Sequence, residues 1–256
     1  MKKTFVVLEQ GCEINYKLTK THKEQFNTEF SDCFRLNWKG DRRDTQADFF
    51  KNNLCWSEGR SYLYEQVKGK YDYYFFIDDD ISIHTNTKVK AAQQIKNQLE
   101  KYKPIHGSIN NDNWPNWHDI RTDRVKKMDA FTMIGGDLCT QFFSESFANL
   151  MFPTWYHGSN ASMWYAQFLA RKICPERSLF LNLVRARNTR HVPHQDANTT
   201  EVCKSYFKEI LISEQYKKEF EKHAYTKGFR HEASVPHNDY LHVTAKDVQK
   251  YVTKAL

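Results

Sequence analysis

The sequence predicts an α/β domain with a mostly parallel central sheet covered by helices on both faces. Two short runs, Thr4 to Leu8 and Tyr71 to Ile77, are apolar at consecutive positions, which is typical of strands buried on both faces. Two amphipathic stretches, 56–69 and 87–102, have helical spacing and flank the second run. Strands that alternate with helices favour this layered architecture. The length of 256 residues fits one large domain.

The elements before the central strand follow in order. Thr4 to Leu8 is the first predicted strand, and Cys33 to Leu36 is a weaker second one. The stretch 56–69 is predicted as a helix with Ser57 as its N-cap and Gly69 at its end.

The strand Tyr71 to Ile77 is expected at the centre of the sheet. A helix from Thr87 to Tyr102 follows, and Pro104 stops it. Another strand and helix are expected from Met128 to Ile134 and beyond, and a further helix begins at Ser144 to Phe147.

The predicted domain covers residues 1–198. From 199 to 256 the sequence is strongly charged and has helical spacing, so we interpret it as a helical C-terminal extension of the same domain. It is not expected to form a second catalytic unit.

The composition limits the classes of partner. The net charge of +7 suits an anionic partner, such as a nucleotide diphosphate, an acidic membrane surface or nucleic acid. The basic residues are spread out and are not interleaved with aromatics, so no nucleic acid is expected. No apolar stretch reaches the roughly 18 residues of a membrane span. The six cysteines are scattered, which indicates reduced thiols and a cytoplasmic location; peripheral contact with a membrane is compatible with the charge.

Three consecutive carboxylates follow the central strand, at Asp78, Asp79 and Asp80. Adjacent carboxylates repel one another and resist burial, so they need a compensating charge. The carboxyl end of a parallel strand is where open α/β sheets bind ligands. In an extended chain Asp78 and Asp80 point to the same side, and oxygen ligands suit Mg²⁺ or Mn²⁺. The spacing therefore predicts a site for a divalent cation.

The passage from Gly59-Arg60 through Lys68-Gly69-Lys70 to Asp80 resembles the helix, glycine, strand and DxD motif of GT-A nucleotide-sugar glycosyltransferases. The segments 137–153, 162–167 and 184–191 resemble, in their order, bacterial and large-virus glycosyltransferases. Together these similarities cover roughly residues 4–195. They imply a GT-A fold, which is Rossmann-like, and a metal-dependent sugar transferase.

The resemblance implies roles for individual residues. Asp80 would hold the metal, and Asp78 would contact the metal or the ribose of the nucleotide. Arg60 would face the nucleotide or its diphosphate. Asp79, within the triplet, and Gln10, at the end of the first predicted strand, are assigned to the same nucleotide-sugar site. GT-A enzymes often complete the metal site with a late histidine, and the alternatives here are His191 and His194 in the loop Asn188 to Asp196.

The catalytic base and the acceptor site are less defined by the sequence. The Glu-Asp pair that many inverting GT-A families carry before a late helix is absent, since Tyr156-His-Gly-Ser-Asn-Ala161 holds no acid. Either the configuration is retained, or a base comes from elsewhere, with Asp137 and Asp112 as candidates. Trp114 and Trp117 lie in a polar loop and are candidates for stacking on an acceptor sugar.

The sequence thus predicts an enzyme that moves a sugar from a nucleoside-diphosphate sugar, with UDP as the expected nucleotide, to a glycan or glycolipid acceptor. The expected cofactor is Mn²⁺ or Mg²⁺. The alternative from the same acids is a Mg-dependent nucleotidyltransferase or phosphoesterase. A second alternative is a basic nucleic-acid-binding module in which the acids are incidental.

Overall fold

The computed structural model describes residues 2–12, 14, 17–85, 87–112, 128–132, 139–152, 166, 170 and 177–189. Their helices and strands follow in the order β1 (Lys3–Gly11), α1 (Lys17–Phe26), β2 (Ser31–Asn37), β3 (Phe49–Phe50), α2 (Trp56–Val67), β4 (Tyr71–Asp78), β5 (Ile81–Thr85), α3 (Ala91–Tyr102), β6 (His106–Asn111), β7 (Ala130–Thr132), β8 (Thr140–Ser144), α4 (Glu145–Met151) and β9 (Ser178–Asn188). The extension 199–256 and residues 190–198 lie outside the described residues.

The strands form one nine-stranded mixed sheet in the order β3-β2-β1-β4-β8-β6-β9-β5, with β7 also paired to β9. The four strands β3, β2, β1 and β4 are mutually parallel, as are β6 and β9. The strand β8 runs antiparallel to both of its neighbours, and β5 and β7 run antiparallel to β9. The prediction of an α/β fold is confirmed, but the mostly parallel pairing holds only for the half that carries β1 and β4.

Helices cover both faces of the sheet. Phe5 and Val7 of β1 pack toward the buried residues of α1 and α3. Val6 and Leu8 face the other way and pack with α2 and α4. This alternation explains why the two central strands are apolar at every position, since each side chain enters one of two cores.

The structure moves several predicted helix ends. The N-cap of α2 is Cys55 and not Ser57, because starting at Trp56 places Glu58 where its carboxylate accepts from the Cys55 N–H at 2.7 Å. Gly69 follows the helix with a φ of 79°, as its predicted closing role requires. The helix α3 begins at Ala91 instead of Thr87 and ends at Tyr102, and the residue that caps it, Lys103, has a left-handed backbone and precedes Pro104. Ser144 caps α4 by accepting from the Phe147 N–H.

No helix in the described ranges is long and apolar enough to cross a membrane.

Candidate active site at the carboxyl ends of β1 and β4

The acidic triplet lies where β4 ends and turns into β5. Asp78 is the last residue of β4 and is the register partner of Gln10 on the neighbouring parallel strand β1. The N–H of Asp79 donates to the Gln10 carbonyl at 3.1 Å, which continues the pairing one step further. From β1 the chain adds β2 and then β3 on one side of β1, and it then returns to add β4 on the other side. The direction in which strands are added therefore reverses between β1 and β4. Such a reversal separates the connecting loops and leaves a crevice at the strand ends.

Asp78 is held by three N–H donors on one carboxylate oxygen. Its Oδ1 accepts from Trp56 Nε1 at 2.9 Å, from Arg60 Nη2 at 3.0 Å and from Gln10 Nε2 at 3.4 Å. Among the residues that the structure describes, none donates to Oδ2. The carboxylate is therefore fixed in orientation while one oxygen stays available for a ligand.

Arg60, predicted to face the nucleotide, is completely buried under Asp78. Its guanidinium lies 3.9 Å from the centre of the Trp56 ring, which is the neighbour one helical turn earlier. The observed partner of Arg60 at this site is thus Asp78, and its predicted contact with a nucleotide stays a prediction. Trp56 was not predicted, although its spacing of four residues from Arg60 is a signal that the two share a helix face.

Asp79 points to a different partner, as the alternation along the chain predicts. Its Oδ2 lies 3.3 Å from Arg35 Nη2 and 3.4 Å from Nη1. Burial raises the pKa of Asp79 to about 7; Arg35 opposes the rise, and Glu9, Asp78 and Asp80 add to it. Asp79 is thus a carboxyl group that titrates near neutral pH.

Arg35 belongs to a buried charge network, which we define as Glu9, His22, Arg35 and Asp44. Arg35 Nε donates to Asp44 Oδ2 at 2.8 Å and Nη1 to Glu9 Oε1 at 2.5 Å, while His22 Nδ1 lies 2.5 Å from Glu9 Oε2. Burial alone would raise the pKa of Glu9, but His22 and Arg35 outweigh it and lower that pKa. No local sequence pattern predicts this network, because its members come from four separate segments.

Gly11 ends β1 directly beneath Asp79. A Cβ at this position would lie 1.6 Å from Asp79 Oδ2, so only glycine leaves room for the observed carboxylate. Gly59 in α2 has a similar relation to Gln10, whose Oε1 would lie 2.7 Å from an added Cβ. Both glycines bring backbone close to the side chains that surround the triplet.

Asp80 is tied to the end of β9 through its backbone. Its carbonyl accepts from the Thr189 N–H at 2.9 Å and from Thr189 Oγ1 at 2.7 Å. The last residue of β9, Asn188, is the register partner of Ile81. The predicted loop from Asn188 onward therefore starts beside Asp80.

Asp112, a candidate base in the sequence, is engaged by an arginine and a histidine. Its Oδ1 accepts from Arg185 Nε at 2.9 Å and Nη2 at 2.8 Å, and its Oδ2 lies 3.1 Å from His84 Nε2. The structure therefore shows an ion-paired carboxylate here, and the role of Asp112 as a general base stays a prediction.

The remaining predicted site residues lie outside the described residues: Asp137, Trp114, Trp117, His191 and His194. Within the described ranges, no group of three or more His, Cys, Asp or Glu side chains is arranged to hold a metal ion. Asp78 and Asp80 are the predicted ligands that the structure describes.

No protein-family model matches the chain, and no curated protein sequence matches it. Among solved structures, the chain is similar to the crystal structure of A197 from STIV, at 12% identity and a TM-score of 0.44. That match covers 72% of this chain and 84% of the other. At this TM-score the similarity carries no argument about fold or function.

Proposed function

We propose that this protein is a metal-dependent glycosyltransferase of the GT-A type that uses a nucleoside-diphosphate sugar, with UDP as the nucleotide. The observation that carries the proposal is Asp78, a carboxylate fixed by three N–H donors on one oxygen at the point where the sheet order reverses. A crevice at such a point is the usual place for a nucleotide in an open α/β sheet.

The acidic residues fit a divalent cation. Oδ2 of Asp78 is available, and the donors on Oδ1 act as the supporting shell that orients a metal ligand. Asp80 would supply the second carboxylate. Asp79 is directed toward Arg35, so it would tune the charge of the site without binding the ion. When bound, a divalent cation would neutralise the diphosphate leaving group.

The end of β9 supports the late histidine as a third ligand. Thr189 is bonded to the Asp80 carbonyl, and His191 is two residues further along the chain. Two residues of extended chain span about 7 Å, so connectivity keeps His191 within reach of the acidic triplet. His194 has five residues of chain and is less restricted.

Calorimetry tests the binding step. UDP is titrated into the wild type with and without Mn²⁺, and into Asp78→Asn and Asp80→Ala. We expect Mn²⁺-dependent binding that each substitution weakens at least about tenfold, since each removes a charged ligand. Asp72→Asn is the matched control, because Asp72 lies on the same strand at its other end and is 54% exposed. Metal-independent binding, or equal losses in the control, would contradict the assignment.

A panel of nucleotide sugars tests the reaction. A glycosyltransferase releases the nucleoside diphosphate from the donor, slowly to water and faster to an acceptor. Release of a nucleoside monophosphate or of inorganic phosphate would instead favour the phosphoesterase alternative, and a need for a nucleoside triphosphate would favour nucleotidyl transfer. The anomeric configuration of the product then decides between retention and inversion.

A further inference from the structure

A cluster of basic side chains on β5 and β9 lies next to the acidic triplet. We define the basic cluster as His84, Arg185 and Arg187, which all pair with Asp112. Oδ2 of Asp112 lies 3.1 Å from His84 Nε2 and 3.7 Å from Arg187 Nη2, and Oδ1 of Asp112 lies 2.8 Å from Arg185 Nη2. Two guanidinium groups and an imidazole thus share one carboxylate, which leaves the cluster with a surplus of positive charge.

The three side chains of the basic cluster differ in how firmly they are held. Arg185 is fixed, because it donates twice to Asp112 and its Nη1 donates to Asn182 Oδ1 at 2.9 Å. Arg187 is 61% exposed and its one ion pair within the described residues is the long contact to Asp112, while His84 is 40% exposed. Arg185 and Asp112 therefore form a rigid ion pair, and the neighbouring Arg187 and His84 side chains can donate to a ligand.

The register of β5 and β9 places the basic cluster on one face. Arg185 pairs with His84, and Arg187 pairs with Ser82, so the three side chains of the basic cluster point to the same side. The alternate residues Ile83 and Ala186 are buried in the core against α1 and α3. The basic cluster therefore lies on the opposite face, away from that core.

The basic cluster is close to the acidic triplet along the chain. Ser82, the partner of Arg187, is two residues after Asp80, which is about 7 Å along a strand. It lies on the β5 side of Asp80, whereas Gln10 and the crevice lie on the β1 side. A ligand held here would be next to the sugar of a donor bound in the crevice, and separate from its nucleotide.

We infer that the basic cluster binds an anionic group, a phosphate or a carboxylate, on the acceptor substrate. This inference rests on the proposed function, because it takes the neighbouring acids as the donor site. Exposed guanidinium groups bind both anions through paired N–H donors, so the two share one chemistry. The acceptor class is thus an acidic or phosphorylated sugar and not a neutral one.

Ligand titration followed by NMR of the arginine Nε–H signals tests the inference in the absence of metal. The probes are glucose 6-phosphate, glucuronate and glucose. We expect one or both anionic probes to shift the Arg185 and Arg187 signals in a saturable way and glucose to have no effect. Arg187→Gln should weaken the effective probe about tenfold, as loss of one charge-assisted pair predicts, and Arg187→Lys should weaken it less. Whichever anionic probe binds identifies the anion.

Arg43→Gln is the matched control, because Arg43 is also exposed and paired with one aspartate, Asp41. Asp78→Asn should weaken Mn²⁺-dependent UDP binding at least about tenfold and leave the anionic probe bound, so the two proposals fail separately. Equal weakening in Arg43→Gln, or no response to either anion, would overturn the inference. Loss of UDP binding in Arg187→Gln would also overturn it, since the basic cluster would then belong to the donor diphosphate.

Discussion

Asp78 and Asp79 are adjacent in the sequence but have different electrostatic surroundings. Asp78 receives three N–H donors, two of them from α2, whereas Asp79 is half-buried beside Arg35 and close to Glu9. The alternation of side chains at the end of a strand separates the two carboxylates. The Asp78 carboxylate is thereby held by hydrogen bonds, whereas the Asp79 carboxyl group titrates near neutral pH.

The raised pKa of Asp79 predicts a pH-dependent stability. A carboxyl group whose folded pKa is about 7 holds its proton in the folded state, while the unfolded chain has lost it above about 4. The free energy of unfolding should therefore fall as pH rises from about 4 to about 7. The variant Asp79→Asn lacks this titrating group, so its free energy of unfolding relative to wild type should increase with pH, by a few kcal/mol at most.

Urea unfolding of wild type and Asp79→Asn at pH 5, 6, 7 and 8, without divalent cations, measures this difference. A difference that stays constant over the range, or that grows toward acid, would contradict the assignment.

His106 gives a prediction of opposite sign. It is fully buried against Phe143 and Phe147, neither ring nitrogen has a hydrogen-bond partner among the residues that the structure describes, and burial lowers its pKa to about 3. The folded state stays neutral while the unfolded chain takes up a proton below about pH 6.5, so stability is lost as pH falls from there.

His106→Leu should stabilise the protein by about 1 kcal/mol at pH 7, because it removes buried polar atoms that lack partners. The gain over wild type should increase at pH 5, as measured by urea unfolding. A loss of stability at both pH values would show that the ring nitrogens are satisfied in solution.

At the scale of the elements, the strands β6 and β9 approach so closely at Gly107 that no side chain fits. An added Cβ would lie 1.9 Å from the Leu179 carbonyl oxygen, which is backbone and cannot move aside alone. Gly107→Ala should therefore force the strands apart and cost at least about 2 kcal/mol of unfolding free energy.

Gly69→Ala is the comparison for this strand contact. Gly69 has a φ of 79° and nothing within 4 Å of an added Cβ, so only backbone strain of about 1 kcal/mol is expected. Thermal and urea unfolding of both variants measure the two costs. Equal costs would mean that the β6–β9 contact relaxes.

The sequence predicts the elements whose side chains are apolar, and it misses those whose polar residues are buried. The apolar pattern predicts both β1 and β4, because their consecutive apolar residues enter two cores. The strand β6, His-Gly-Ser-Ile-Asn-Asn, is buried at every position, and its Ser108 and Asn110 side chains hydrogen-bond to Thr140 and Asn182, on strands far along the chain. The helix α1 buries Thr19, His22 and Phe26, of which only the last is apolar.

The candidate site follows the same rule. Asp78 was predicted because three acids after an apolar strand are unusual, and its neighbour Gln10 could be placed at the adjacent strand end. Trp56 and Arg35 could not, since their relation to the acids depends on how α2 and β2 pack. The local pattern therefore locates the acidic triplet, and long-range pairing supplies the groups that orient it.

At the scale of the whole molecule, the sheet order predicts where the fold is most protected. The strands β1 and β4 are flanked by strands on both sides and by helices on both faces, whereas β5 and β3 are at the edges. Native-state hydrogen exchange should show amides of 6–8 and 74–76 exchanging only by global unfolding. Amides of β5 should exchange by local opening, at a lower free energy. Equal protection at centre and edge would contradict this gradient.

The pairing of β5 has a consequence for the order in which the site is completed during synthesis. The strand follows the acidic triplet directly, but its partner among the described strands is β9, about a hundred residues later. A nascent chain that has already produced β1, β4 and all three aspartates must still wait for residues 184–189 before β5 can dock and Thr189 can hold the Asp80 carbonyl. The three aspartates are thus synthesised early, whereas the position of Asp80 is fixed only after β9 has been made. A chain interrupted before β9 would carry the acidic triplet without a fixed position for Asp80.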